Sequence, residues 1–155
     1  MKSSAAFTFR PLLAWALAGA ASLLTGCAIS TPYRGSTAAP PGGALLIVTH
    51  AVVDPAGRSE FFTQTLKVLD SMDGQPGLVG YSVRRQLVGN EVWTMTLWAD
   101  HGAMVRFVSQ PAHWDAMTVS GSAIRSMAVR RRMLPGGAPA PGWAEALRLL
   151  QATAP

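Results

Sequence analysis

The rhythm of apolar and polar positions changes midway between residues 93 and 114, and the rest of the chain can be read outward from there. Residues 91–99 are apolar, aromatic and β-branched, with Thr94 and Thr96 at alternate places, which predicts a central strand. Asp100 then offers a short carboxylate able to accept from the free amides of a helix's first turn. Ala103, Met104, Phe107 and Val108 follow at three- and four-residue spacing, so a helix over 100–110 presents one apolar face. Pro111 closes it and leaves His113 and Trp114 just past the break. This unit holds three of the five tryptophans and two of the three histidines, so it is the first place to look for a pocket.

On the N-terminal side, residues 44–53 are almost wholly apolar, a pattern expected of a strand buried on both faces. Asp54, Pro55 and Gly57 break it. Over 58–73, Phe62, Leu66, Leu69 and Met72 recur with helical period and Thr65 lies on the same side. Gly74, Pro76 and Gly77 stop that helix, and 78–88 reads as a second strand. Gly89-Asn90 is a two-residue hairpin signal, since both positions favour positive φ. That turn sets Leu87 opposite Val92, Arg85 opposite Thr94, Val83 opposite Thr96 and Tyr81 opposite Trp98. Trp93, Met95 and Leu97 then share the other face with Gly80, Ser82 and Arg84. Beyond the second helix, 118–122 is looser and 125–133 is a last strand, with Met127, Val129 and Met133 alternating against Arg130 and Arg132. Residues 135–141 read as a flexible link, and Trp143, Ala146, Leu147 and Leu150 as a short amphipathic helix. The order β-α-β-β-α-β is the ferredoxin-like α+β arrangement, one antiparallel sheet with both helices on one face. A core of about ninety residues buries surface only marginally, and a second copy is the simplest cover for the apolar helix-free face.

Composition changes this picture mainly at the N-terminus. The 155 residues include one cysteine, Cys27, so no intramolecular disulfide can form. Lys2 and Arg10 mark a positive n-region, residues 11–24 are an apolar run too short to span a bilayer comfortably, and Leu24-Thr25-Gly26-Cys27 follows. The tetrapeptide resembles the bacterial lipobox, in which the cysteine is diacylated and becomes the mature N-terminus. The alternatives are an ordinary secretory signal cut near Ala21, or an uncleaved anchor. The expected organisation is therefore a lipoprotein signal peptide (1–26), a flexible tether (27–43), one α+β domain (44–134), and a linker with a short helix (135–155). Ala28, rather than Asp, follows the cysteine, which resembles outer-membrane cargo facing the periplasm. The leader removes two of the thirteen basic residues and none of the eight acidic ones, leaving a mildly basic chain. That charge suits anionic headgroups better than nucleic acid, and no nucleic-acid partner is expected.

Pro76-Gly77-Leu78-Val79-Gly80-Tyr81, residues 93–100, residues 104–107 and Ala112-His113 resemble the antibiotic biosynthesis monooxygenase superfamily over roughly 45–133. There a "G-x-x-G-Y" strand is followed by a strand ending in Trp and a helix entered through an acidic or Ser-type turn. The resemblance implies a homodimer whose sheets face each other as an α+β barrel, with a pocket in each protomer between sheet and helices. Members include cofactor-free quinone-forming oxygenases, haem-degrading enzymes, isomerases and proteins of no known activity. The haem-degrading pattern asks for Asn on the first strand, Trp in the second helix and His at its end. Here those places hold His50 and Phe107, with His113 only near the third, so no cofactor is expected.

His113 could be a general base, or could simply cap a helix end. His50 could act as a base, against a core or dimer-interface role. His101, at a helix N-terminus, reads as exposed. Trp98, Phe107, Trp114 and Tyr81 are candidates to line a flat aromatic pocket, while Trp93 reads as packing. Arg84 and Arg85 alternate faces, and 130–132 reads as a solvated edge strand. No metal site is expected from three scattered histidines, and no phosphate loop, G-x-S-x-G elbow or paired carboxylates are present. The expected function is a membrane-tethered lipoprotein whose domain binds a small aromatic or apolar molecule and oxidises it with O₂ and no cofactor. The alternative is a non-catalytic envelope lipoprotein acting as a ligand-binding or interaction module.

Overall fold

A computed structural model describes residues 27–152, so the leader lies outside the described residues. Its elements are β1 (Ala28–Ser30), β2 (Arg34–Gly35), β3 (Ala44–Val53), α1 (Arg58–Asp70), β4 (Leu78–Gln86), β5 (Glu91–Trp98), α2 (His101–Val108), α3 (Pro111–Ser120), β6 (Ile124–Leu134) and α4 (Trp143–Gln151). The strands form one antiparallel sheet in the order β1-β4-β5-β3-β6, with β2 also on β4. Stripped of β1 and β2, this is the expected ferredoxin-like sheet. Asp100 caps α2, accepting from the Ala103 amide at 2.7 Å.

Toward α1–α3 the sheet presents Leu45, Ile47, Tyr81 and Trp98, packed on Met72, Ala103, Met104 and Phe107. Toward the other side it presents Ala44, Leu46, Val48, Met95 and Leu97. That side is covered by the chain's own ends: Ala146, Trp143, Leu149 and Leu150 of α4, with Tyr33 and Ala39. A second copy is thus not required to shield these residues, and the reason for expecting one falls away over this half of the face. Buried Ser82 joins both covers. Its hydroxyl donates to the Thr31 carbonyl at 2.8 Å and accepts from the Trp143 indole at 3.0 Å.

Residues 28–43 are therefore not a flexible tether. Backbone amides bond them along β4 (Thr31 to Val83 at 2.8 Å, Ser36 to Val79 at 2.9 Å), and Thr31 Oγ1 accepts from the Val83 amide at 3.0 Å. The 135–141 link is likewise tied down: the Ala39 amide donates to Ala138 at 2.8 Å and the Ala140 amide to Thr37 at 2.8 Å. Two glycines of the G-x-x-G-Y stretch are needed for contact. Gly77 has φ +82°, and a Cβ there would lie 2.5 Å from the Ala103 Cβ. A Cβ on Gly80 would run into the Tyr33 hydroxyl.

Three further expectations are corrected. The hairpin loop is four residues, 87–90, so Arg85 pairs with Val92, Val83 with Thr94 and Tyr81 with Thr96. Leu87 and Val88 stay in solvent while the Gln86 and Glu91 side chains bond at 2.8 Å across the loop's base. From Gly80 onward a two-residue register change leaves the side chains on their expected faces, while the irregularity between Leu78 and Gly80 turns Leu78 to the Trp98 side and Val79 to the Leu97 side. In α1, Leu66 is 61% exposed while Gln64 is buried and bonded to Glu60, so the inner face is Phe61, Thr65, Val68 and Leu69. Finally, Pro111 ends one helix and begins another: it stands at the start of α3, where its missing N–H costs no bond.

Candidate functional site

Between the sheet and α1–α3 lies a predominantly apolar cavity of about 300 Å³. The side chains opposite explain it. Along its floor the sheet carries Thr49 and Ala51 of β3 and Val92, Thr94 and Thr96 of β5, small residues that leave the helices unfilled space beneath them. Thr49 and Thr94 are cross-strand partners. Neither hydroxyl forms a hydrogen bond among the described residues, whereas the Thr96 hydroxyl accepts from the Trp98 indole at 3.0 Å. The floor thus offers two uncommitted hydroxyls side by side.

The walls are aromatic at one end. Trp98 and Phe107 sit with ring centroids 5.1 Å apart, and Phe107 meets His113 edge-on at 5.3 Å. His113, Ala116, Met117 and Ser120 line the cavity at three- and four-residue spacing, which makes one face of α3 a wall. Burial holds the His113 imidazole below its ordinary pKa, opposed in part by the Val108 carbonyl. Its Nδ1 is buried and makes no hydrogen bond of normal geometry. The neutral ring is therefore favoured, able to accept a proton or hydrogen bond from a guest. Arg131, exposed on β6, is the other basic group at the wall.

The expected site residues are not all brought together. Trp98, Phe107, Tyr81 and His113 line the cavity. Trp114 is 66% exposed and does not. The Tyr81 ring is wall, but its hydroxyl is committed at the rim, donating to Asp73 at 3.1 Å and accepting from Arg34 at 3.4 Å. His50 lies on the opposite face of the sheet. There it stacks on Trp93 at 5.0 Å and bonds Glu91 at 2.7 Å, with Arg84 6.0 Å from the Trp93 centroid. His101 is exposed. Among the described residues no group of three or more His, Cys, Asp or Glu is placed to hold a metal ion. A paired amide latch, Gln75 with Gln110 at 2.8 and 2.9 Å, ties the turn after α1 to the α2–α3 junction.

No family model and no curated protein matches this chain. Solved structures do. A candidate monooxygenase from Fusobacterium nucleatum superimposes with TM-score 0.60 at 12% identity, over 73% of this chain and 55% of its own. One from Lactobacillus acidophilus gives 0.54 at 16%, over 68% and 53%. The chain thus spans about half the length of these two. A candidate antibiotic biosynthesis monooxygenase from Chloroflexus aurantiacus gives 0.52 at 16%, over 64% of this chain and 99% of its own. At such identities the likeness is one of fold: the sheet and helices follow the ferredoxin-like plan of structures described as antibiotic biosynthesis monooxygenases.

Proposed function

We propose that this chain is an envelope lipoprotein, anchored through diacylated Cys27, whose domain holds one small, flat, largely apolar molecule in the cavity above Thr49 and Thr94. The observation that carries the ligand reading is the pairing of hollow and chemistry. Trp98 and Phe107 supply apolar wall, while Thr49, Thr94 and neutral His113 supply the few polar atoms that orient a guest. A phenol or quinone oxygen matches that set. The cavity volume is at the lower end of ligand pockets, roughly 300–1,000 Å³, which suits a small molecule.

Binding is favoured over turnover by one feature. Among the described residues only a backbone carbonyl, that of Val108, acts on the His113 ring and no side chain hydrogen-bonds it, whereas an efficient base is held by a third side chain. Oxidation without a cofactor would need His113 to take a phenolic proton while two electrons and two protons pass from a hydroquinone to O₂, giving quinone and hydrogen peroxide. Oxygen uptake by the purified protein across a panel of hydroquinones separates the readings. Turnover lost in His113→Ala supports the oxidase; binding without turnover supports the ligand-holding module; neither would overturn the site. Homodimerisation belongs to the same proposal. Its contact would be the half-exposed strip of Arg84, Trp93 and His50, with weaker self-association of Trp93→Asp by sedimentation as its check.

A further inference from the structure

The hairpin end of the sheet carries an exposed apolar cluster: Leu87 and Val88 in the β4–β5 loop and Ile29 on β1, each about half exposed. It adjoins Cys27. The Leu87 amide donates to the Cys27 carbonyl at 3.0 Å, and Ala28 pairs with Gln86. Ile29 and its partner Arg85 lie on one face, and Arg85 shares the Phe62 ring with Arg58 at 5.9 and 5.5 Å. Neither arginine forms an ion pair among the described residues. Two carboxylates at this end are already engaged, Asp54 by Arg125 at 2.8 Å and Glu91 by His50 at 2.7 Å. Three exposed aliphatic side chains with two guanidiniums beside them that lack a carboxylate partner make up the composition of a surface that meets anionic lipid.

We propose that this hairpin end is a bilayer-docking surface, which seats the domain directly on the membrane that holds its anchor. The inference rests on the lipoprotein reading and deepens it. Because Cys27 is bonded to the sheet, acyl chains on it would enter the bilayer within about one residue's reach, ~3.5 Å, of Leu87. A flexible tether would let the domain tumble. A bonded strap fixes which end faces the lipid. Leu87 and Val88 then insert at the headgroup boundary, Arg58 and Arg85 meet phosphates, and the opposite end, with Met133, points away.

The test uses full-length protein, processed in a Gram-negative host fed labelled palmitate and reconstituted in phosphatidylethanolamine–phosphatidylglycerol vesicles. A fluorophore is placed at Val88→Cys or, at the far end, at Met133→Cys, and quenched by nitroxide-labelled lipid. Palmitate label with several-fold stronger quenching at position 88 than at 133, abolished by adding Leu87→Asp, is the expected result. Label with equal or reversed quenching would overturn the docking and leave the anchor standing. No label would overturn the anchor, and the docking with it.

Discussion

The two faces of one sheet are finished differently. On one, Leu46, Val48, Met95 and Leu97 are essentially inaccessible beneath α4 and the N-terminal strap. On the other, Thr49, Ala51, Thr94 and Thr96 stop short of the helices and leave about 300 Å³. Both faces belong to the same strands, so backbone cannot account for the difference; side-chain size does. Large aliphatics against a close helix exclude everything, while small residues under aromatic walls hold space open. The sealed face stabilises, and the hollow one is free for chemistry.

The largest effect should come from breaking the seal. Ala146 is wholly buried, so Ala146→Asp places an unpaired carboxylate against Leu46 and Met95 and is expected to cost about 3 kcal/mol or more, read as a fall in urea midpoint. Enlarging one residue on each face sharpens the contrast. Val48→Phe overpacks and is expected to cost about 1–3 kcal/mol, whereas Thr94→Phe grows into the hollow at under ~1 kcal/mol. Equal costs would mean the hollow is not open to side chains.

On the hollow face the group whose titration shifts is His113. Burial lowers the His113 pKa in the folded chain, so the unfolded chain binds the proton more readily. Stability that His113 contributes is complete above its unfolded value, about 6.5, and is lost as pH falls from there toward the lower folded value. Urea midpoints of wild type should therefore drop more between about pH 7.5 and 5.5 than those of His113→Gln. The smallest effect belongs to Leu66, which points outward despite its place in the apolar period. Leu66→Ala is expected to change stability by no more than about 0.5 kcal/mol.

Much of the fold was legible because periodicity survives small errors of register. The four core strands and the facing of Trp93, Met95 and Leu97 follow from alternation, the Asp100 cap from the chemistry of a short carboxylate before a helix, and a hairpin misread by two residues turns no paired side chain over. The strap left no such trace: backbone hydrogen bonds to β4 hold it, and only Tyr33 and Ala39 add much burial. Helix α3 misled for the opposite reason, since Trp114, Met117 and Val119 are exposed while Ala116 and Ser120 turn inward. At the site, His113, Trp98, Phe107 and Tyr81 stood out as residue types. Thr49 and Thr94 did not, because threonine alternating in a strand reads first as β-propensity. His50 attracted notice on chemistry alone, and strand parity sends it to the other face.

The most direct measurement is calorimetric titration of a hydroxynaphthoquinone into wild type, Thr94→Phe and, as a control on the opposite face, Ala128→Phe. One molecule bound per chain in wild type and in Ala128→Phe, with binding lost in Thr94→Phe, is the expected result. Undiminished binding to Thr94→Phe, or no binding to any of the three, would contradict the assignment of the hollow face as the ligand site.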